Sequence, residues 1–306
     1  MPNTLGHIGI QTLATRGIIR GADVKWIYLG CIIPDLPWIL QRAVLAVLPG
    51  VDALSLRYYC DVQASLLFCL ILSAALALPA VQSGRIFAIL GSNALLHLLL
   101  DASQIKWGNG VHLLAPFSWE ASNWGWFWPD SFSGYFLTAL GLAALAGFWR
   151  RAVNFPAGLR RPPLSRLILL MILGASYYLM PFWLMTGPEK AGLHDGPLVR
   201  DPALRPGQLL EIDRAPYQPG AGGGYITSRY LGQLRVQGMN FDQPATVSIR
   251  GRFIGENEIA VLEYHRHRDG FRDGASYLGL ALIAFTWVWY FRRHSGRGRT
   301  GEIKQS

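Results

Sequence analysis

The stretch "IFAILGSNALLHLLLDASQI" (residues 86–105) is apolar enough to enter a lipid bilayer, yet it carries two ionisable side chains. A membrane-spanning helix needs about 20 mostly apolar residues, which is the length of this run. His97 and Asp101 stand four positions apart, so a helix places them on one face. Because an ionisable group inside a span costs about 2.5–3.5 kcal/mol on insertion scales, such residues are candidates for a functional site.

The composition of the whole chain also indicates a membrane protein. Of its 306 residues 51% are hydrophobic and only 15% are charged, whereas soluble domains have about 25% charged residues. The run 26–48 resembles 86–105 in length and contains one acid, Asp35. Four further runs are uncharged and of spanning length: 62–84, 131–149, 167–188 and 274–291. The sequence therefore predicts an α-helical polytopic protein with about six spans, and a shorter element at 3–20.

The distribution of arginine predicts the orientation of these spans. The positive charge comes almost entirely from arginine, and the strongest groups of arginine beside spans are in 150–166 and 292–299. Basic residues beside spans stay on the cytoplasmic side. The segments 49–61, 106–130 and 188–273 are then outside, and the chain is predicted to be a multi-pass protein of a bacterial inner membrane. The same argument assigns the basic excess to anionic lipid and predicts no nucleic-acid partner.

Residues 188–273 have a different pattern from the rest of the chain. Short segments rich in β-branched and aromatic residues alternate with Gly, Pro, Asn and Asp, which predicts five strands. We expect a small extracytoplasmic antiparallel barrel of OB-like type, with "YQPGAGGG" (217–224) as a flexible loop. Its predicted core is Leu210, Ile212, Val247, Ile249 and Val261. The predicted domains are a membrane domain (1–187), the β domain (188–273), a last span (274–292) and a basic cytoplasmic tail (293–306).

Several buried polar residues fall at similar predicted depths. Asp35 stands between two prolines in "IPDLPW", which open the helix because proline lacks a backbone donor. With a rise of 1.5 Å per residue, Asp35, His97, Asp101 and His7 reach mid-depth or the outer half of the bilayer. Imidazole and carboxylate ligands together suit a divalent ion, most of all zinc.

Other histidines and acids receive weaker assignments. Asp61 and His112 are expected nearer the outer surface, where they line an entrance, and Asp61 is the candidate catalytic base. His265 and His267, in "YHRHRDG", are interpreted as a solvated surface or a contact with lipid head groups. The metal ligands have a structural alternative, since His97 and Asp101 could instead hydrogen-bond each other and join two helices.

Three motifs resemble the LexA-regulated, membrane-bound metal-dependent hydrolase family of bacterial inner membranes. They are "GHIGIQ", "IPDLPW" and the block "LGSNALLHLLLDASQIKWGNGVHLLAPFSW" (90–119), and they cover about residues 1–120. The resemblance implies that His7, Asp35, His97 and Asp101 occupy the family's early histidine, Pro-Asp and His-xxx-Asp positions. One motif is missing: the family commonly has His-Arg-Gly-x-Thr-His-Ser, where this chain has "RYYCDVQAS" (57–65). Either Asp61 and water complete a reduced site, or catalysis has been lost.

Two functional hypotheses follow from the sequence. The first is a zinc-dependent hydrolase that acts on a lipid or lipid-linked phosphoester or acyl ester at the outer leaflet. The second is a non-catalytic inner-membrane scaffold whose periplasmic β domain binds a partner protein or envelope component. An ion or proton path through Asp35 and Asp101 is a third possibility, but it leaves the β domain without a role.

Overall fold

The computed structural model describes residues 3–48, 50–154, 157–220, 223–268 and 270–295. Residues 296–306 of the predicted basic tail therefore lie outside the described residues. A helical domain precedes a five-stranded barrel, and one long helix follows it. The helices are α1 (Thr4–Ile18), α2 (Val24–Ile32), α3 (Leu36–Val47), α4 (Ala53–Gln63), α5 (Leu66–Ala77), α6 (Ser83–Ala102), α7 (Phe132–Asn154), α8 (Leu164–Leu184), α9 (Thr186–Lys190), α10 (Gly196–Arg200) and α11 (Phe271–Ser295).

Among the described residues, five helical segments are long and apolar enough to cross a membrane. They are Val24–Val47, Ser83–Ala102, Phe132–Ala152, Leu164–Lys190 and Phe271–Arg293. The pair α4 and α5, bent by 67°, brings the number to six if it counts as one span. The prediction of one continuous span at 62–84 is wrong. Ser65 adopts an extended backbone and begins a new helix, and Pro79, which has no backbone N–H to continue the helix, follows shortly after the end of α5.

Helix α1 lies inside the helical domain, against α2, α6, α7 and α11. Its N-cap residue Asn3 accepts a hydrogen bond from the Gly6 amide and donates one of 2.6 Å to Thr138 on α7. The backbones of α1 and α7 also meet at two glycines. A Cβ on Gly9 would lie 2.6 Å from the Cα of Gly141, and a Cβ on Gly141 would overlap the Leu5 carbonyl group. The helix that carries His7 is thus held by a contact that only glycine permits.

We expect Gly141→Ala to destabilise the helical domain by about 1–3 kcal/mol, because the added methyl group forces α1 and α7 apart. The matched control is Gly147→Ala on the same helix, where a Cβ has no atom within 4 Å. Thermal unfolding in detergent, followed by circular dichroism, measures the difference. Equal melting temperatures for the two variants would show that the close contact contributes nothing.

The barrel consists of β1 (Leu209–Gly220), β2 (Gly223–Ser228), β3 (Gly232–Gln237), β4 (Ala245–Gly255) and β5 (Glu258–Arg266). Its strands follow the order β1-β2-β3-β5-β4 in a closed ring. The prediction of an antiparallel barrel is wrong at one pair, since β3 and β5 run parallel with Val236 opposite Ile259. Strand direction cannot alternate at every step around a ring of five, so a parallel pair is unavoidable.

The interior of the barrel forms a separate apolar core. Leu210, Val247 and Ile249 are buried in it, while Ile212 and Val261 are partly buried against it. The predicted flexible loop at 217–224 is wrong for the residues that the structure describes there. Tyr217 to Gly220 belong to β1 and Gly223 and Gly224 to β2, and Tyr217 pairs with Ile226. Gly222, which was expected to be mobile, lies outside the described residues.

The barrel contacts the helical domain through the loop between α6 and α7. The Gly108 amide donates a 2.7 Å hydrogen bond to Glu211, and the Arg250 guanidinium lies 4.8 Å from the Trp107 ring centre. The interpretation of His265 and His267 as a solvated surface is wrong for His267, which is only 3% exposed, whereas His265 is partly exposed. Both rings contact the Asp130 carboxylate.

Candidate metal centre and cavity

Four side chains meet inside the helical domain: His7 from α1, Asp35 from the break between α2 and α3, and His97 and Asp101 from α6. His7 Nε2 lies 3.3 Å from Asp101 Oδ1, and His97 Nε2 lies 3.6 Å from Asp35 Oδ1 and 3.9 Å from Asp101 Oδ2. The two imidazole rings stack at 3.8 Å. Both histidines are completely buried. The four predicted ligands are thus brought together; that they bind a metal ion stays a prediction.

The helix break at Asp35 gives the cluster part of its geometry. A 3-10 turn, Ile33–Asp35, replaces regular helix between the two prolines of "IPDLPW". Beside this turn, the Cys31 carbonyl accepts a 2.5 Å hydrogen bond from His97 Nδ1. Since Nδ1 carries the proton, His97 Nε2 presents a lone pair to the two carboxylates. A histidine oriented through its other nitrogen is typical of a metal ligand.

The donor atoms that face one another have no hydrogen-bond partner. They are His7 Nε2, Asp35 Oδ1, His97 Nε2 and Asp101 Oδ1. Each unpaired buried polar atom costs about 1–3 kcal/mol. In the neutral His97 ring the Nε2 lone pair repels the carboxylates unless a proton or a cation lies between them, whereas His7 Nδ1 accepts a 3.2 Å hydrogen bond from Gln11 Nε2, which places the proton of the neutral His7 ring on Nε2. His7, His97 and Asp101 offer ligand atoms that all lie within 4.8 Å of one another, and Asp35 adjoins this trio through His97 Nε2. Donors that share one zinc ion through bonds of about 2 Å are about 3.3 Å apart in a tetrahedron, so the chemistry and spacing of the trio fit a zinc ion, with Asp35 next to it.

Lys106 belongs to the same site but was missed by the sequence analysis. Its ammonium group lies 3.1 Å from Asp101 Oδ2, the oxygen that does not face His7. Lys106 is nearly buried and lines the adjacent cavity. Its position five residues after Asp101, in a chain with few lysines, is the sequence feature that could have identified it as part of the site.

A cavity of about 720 Å³ lies between the four-residue cluster and the barrel. Pro34, Trp38, Asp101 and Lys106 line it from the helical side, while Glu211 and Asp213 line it from β1. Its wall is rich in charged side chains of both signs. The cavity can therefore hold a polar or ionic group next to Asp101.

Asp61 lies in a second cluster that lines the same cavity, with His112 and His194. Asp61 Oδ2 is 2.7 Å from His194 Nε2, and Asp61 Oδ1 is 3.4 Å from the Arg57 guanidinium. Arg57 also lies 3.2 Å from His194 Nε2. Arg57 and His194 already engage both carboxylate oxygens of Asp61, so this cluster is better suited to holding a proton or an anion.

His112 and Asp195 show how burial affects the cavity wall. His112 Nδ1 donates a hydrogen bond to the Trp119 carbonyl, and burial lowers the pKa of this histidine, so that it is neutral at pH 7. Burial raises the pKa of the Asp195 carboxyl to about 6. The cavity therefore has groups that change charge close to neutral pH.

His194 was not identified from the sequence, because "AGLHDG" has no periodic pattern and lies 133 residues after Asp61. His194 and its neighbour Asp195 both have left-handed backbone, with φ of 56° and 53°. This conformation costs a non-glycine residue about 1–3 kcal/mol and is most frequent at functional sites. The left-handed backbone directs the His194 side chain toward Asp61.

Comparison of the chain with protein-family models, curated proteins and solved structures finds no match. The resemblance to membrane-bound hydrolases therefore stays a prediction that rests on its motifs.

Proposed function

We propose that this chain is a multi-pass inner-membrane hydrolase that uses zinc to cleave a lipid or lipid-linked phosphoester. The observation that carries the proposal is the set of four buried donor atoms without a hydrogen-bond partner, two imidazole nitrogens and two carboxylate oxygens, whose member Asp101 also lines a charged cavity. The structural alternative is a hydrogen bond between His97 and Asp101. Such a bond would give these side chains a partner, but His97 Nε2 and Asp101 Oδ1 have none, which argues against it.

His7, Asp35, His97 and Asp101 would hold the ion. A bound zinc ion supplies a water molecule of lowered pKa and polarises a phosphoryl oxygen. Lys106, beside Asp101, would place its positive charge next to the phosphoryl oxygens of a substrate in the cavity. Arg57, stacked at 4.3 Å on Trp38, would contribute a second positive charge from the opposite cluster. Both cations suit an anionic phosphoester better than a neutral acyl ester.

His194 would hold and transfer the proton. Asp61, the base predicted from the sequence, has both oxygens engaged by Arg57 and His194. Its carboxylate would therefore act by orienting His194 through Nε2, which leaves Nδ1 to exchange a proton with a group in the cavity. This division of roles follows the usual arrangement of a carboxylate behind a histidine base.

Exposed apolar side chains support the membrane location. Helix α8 presents Ile168, Met171, Ile172 and Trp183 on its surface, each more than half exposed. Such a surface is stable against lipid and is unusual in water. With the arginine-rich segment 150–166 in the cytoplasm, the barrel, which has the five strands of OB-like barrels, would lie in the periplasm beside the outer leaflet.

Cysteine labelling tests this orientation. We expect Gln218→Cys, exposed on β1, to react with a membrane-impermeant maleimide in intact cells. Arg161→Cys, exposed in the predicted cytoplasmic loop, should react only after lysis. The natural cysteines Cys31, Cys60 and Cys69 are buried and should give little background. The reverse labelling pattern would contradict the periplasmic position of the barrel and the outer-leaflet substrate with it.

The activity is tested with chain purified in detergent and supplied with zinc. The substrates are mixed micelles of a phosphatidic acid, a glycerophospholipid with a head-group phosphodiester, and a polyprenyl diphosphate. We expect release of phosphate or head group from at least one class, and loss of that release with a chelator. No hydrolysis of any class by zinc-loaded protein would contradict the proposal and favour the scaffold function.

We expect His194→Gln to lower kcat by about 10²–10⁴, the usual contribution of a general acid or base, without loss of zinc. Glutamine retains a hydrogen-bonding side chain but cannot exchange a proton near neutral pH. The rate and the metal content are measured on the same preparation. Unchanged kcat would exclude His194 from proton transfer, while lost zinc would show that it supports the metal centre instead.

A further inference from the structure

Asp130, His265 and His267 form a third cluster, remote in sequence from the residues of the proposed active site. Asp130 ends the loop before α7, His265 stands near the end of β5, and His267 follows two residues later. His265 Nε2 lies 3.2 Å from Asp130 Oδ1, and His267 Nδ1 lies 3.3 Å from Asp130 Oδ2. All three present a potential ligand atom within 4.8 Å of the others.

The protonation of His267 is fixed by Ser248. The Ser248 hydroxyl donates its one proton to Asp213 Oδ1 at 2.8 Å and accepts a hydrogen bond from the Arg214 amide. Its 2.8 Å contact with His267 Nε2 must therefore be donated by the imidazole. In the neutral ring Nδ1 then carries a lone pair. The Ser248 hydroxyl donates its hydrogen bond to Asp213 and not to His267, and it is completely buried. It is therefore not arranged as the nucleophile of a Ser-His-Asp triad.

His267 Nδ1 therefore faces a carboxylate with no hydrogen bond between them. The atom is buried and has no hydrogen-bond partner, although Asp130 Oδ2 is only 3.3 Å away. A lone pair and a carboxylate oxygen at this distance repel, and a metal ion between them removes the repulsion. No other side-chain cation contacts Asp130 among the described residues, whereas Arg57 lies within the cluster of Asp61.

His265 is held in place by stacking. Its ring lies 3.9 Å from the Trp128 ring at an angle of 4°, and the Arg268 amide donates a 3.0 Å hydrogen bond to Asp130. Trp128, Ser248 and the backbone thus help to position the ligand atoms, in addition to the hydrogen bond between His265 Nε2 and Asp130 Oδ1. Such outer support is typical of metal ligands.

We propose that Asp130, His265 and His267 bind a second zinc ion, which joins the end of the barrel to the loop before α7. Two imidazoles and a carboxylate are a common zinc ligand set. The ion would fix the end of the barrel to the point where the candidate spans α7 and α11 both begin. It would thereby hold the barrel wall of the cavity in place. The proposal does not depend on the hydrolase activity.

The test is the zinc content of chain stripped with a chelator, reloaded with zinc and washed. We expect His265→Asn to hold one zinc ion fewer per chain than the wild type, and His265→Cys, which restores a zinc ligand, to recover it. His265 is partly exposed, so both variants should fold; circular dichroism checks this. His194→Asn, outside this cluster, is the matched histidine control and should keep the wild-type zinc content.

The two zinc proposals can fail separately. If they are independent, Asp35→Asn and His265→Asn each lose one ion, and the double variant loses both. If His265→Asn keeps the wild-type zinc content, or if cysteine does not restore the lost ion, the second site is wrong whatever Asp35→Asn shows. If only His265→Asn loses zinc, the second site stands and the hydrolase centre is wrong.

Discussion

Val247→Asp is expected to unfold the barrel while the helical domain stays folded. Val247 is completely buried in the barrel core, and an unpaired buried carboxylate costs about 3–5 kcal/mol. Domains have a total stability of about 5–15 kcal/mol, and a barrel as small as this one is expected at the lower end of that range, where the loss is sufficient to unfold it. The helical domain has its own buried core and closes its backbone hydrogen bonds within each helix. Limited proteolysis should therefore cleave 209–266 and spare the helices.

The matched control is Ile254→Asp on the same strand. Ile254 is 48% exposed, so the same β-branched-to-acid change should leave the barrel resistant to protease. The zinc of the four-residue cluster should survive in Val247→Asp, since none of its ligands comes from the barrel. If Val247→Asp loses this zinc when its barrel unfolds, the barrel and the helical domain fold as one unit and not as two separate domains.

Asp101→Asn is expected to abolish hydrolysis, with a fall in kcat/KM of about 1,000-fold or more. Asp101 contacts His7 on α1, His97 on its own helix α6 and Lys106, and it also lines the cavity. A metal ion contributes several kcal/mol of transition-state stabilisation, and each 1.4 kcal/mol corresponds to about tenfold in rate. Asparagine keeps the shape of the side chain and removes its charge. The rate is measured on the lipid phosphoester that the wild type cleaves.

Glu256→Gln is the control for this change, because Glu256 is an exposed carboxylate on the barrel surface. It should retain the wild-type rate. If Asp101→Asn hydrolyses the lipid as fast as Glu256→Gln does, the four-residue cluster cannot be the catalytic centre. The polar residues would then serve to hold the helices together.

The sequence predicted the parts of the structure that have a local cause. Long apolar runs indicated the candidate spans, and the prolines on either side of Asp35 indicated the helix break. Spacing of four placed His97 and Asp101 on one face, and the distance of each residue from its flanking basic residue predicted that His7 and Asp35 would meet them. These predictions depend on periodicity and rise per residue, which a single sequence contains.

Features that depend on tertiary contacts could not be predicted in this way. His194 reaches Asp61 only because a left-handed turn aims it there, and no periodic pattern encodes that turn. His265 and His267 alternate as exposed strand residues do, and their contact with Asp130, 135 and 137 residues away, has no signal in the sequence. The parallel pairing of β3 and β5 follows from closure of the barrel, which was predicted, although the consequence for strand direction was not.

The zinc content of purified wild-type chain and of Asp35→Asn tests the central claim most directly. Asp35 and His97 lie far apart in the sequence, and their ligand atoms lie 3.6 Å apart with no hydrogen bond between them. We predict that Asp35→Asn, folded as judged by circular dichroism, retains one zinc ion fewer per chain than the wild type. Equal zinc content in the two proteins would contradict the metal centre.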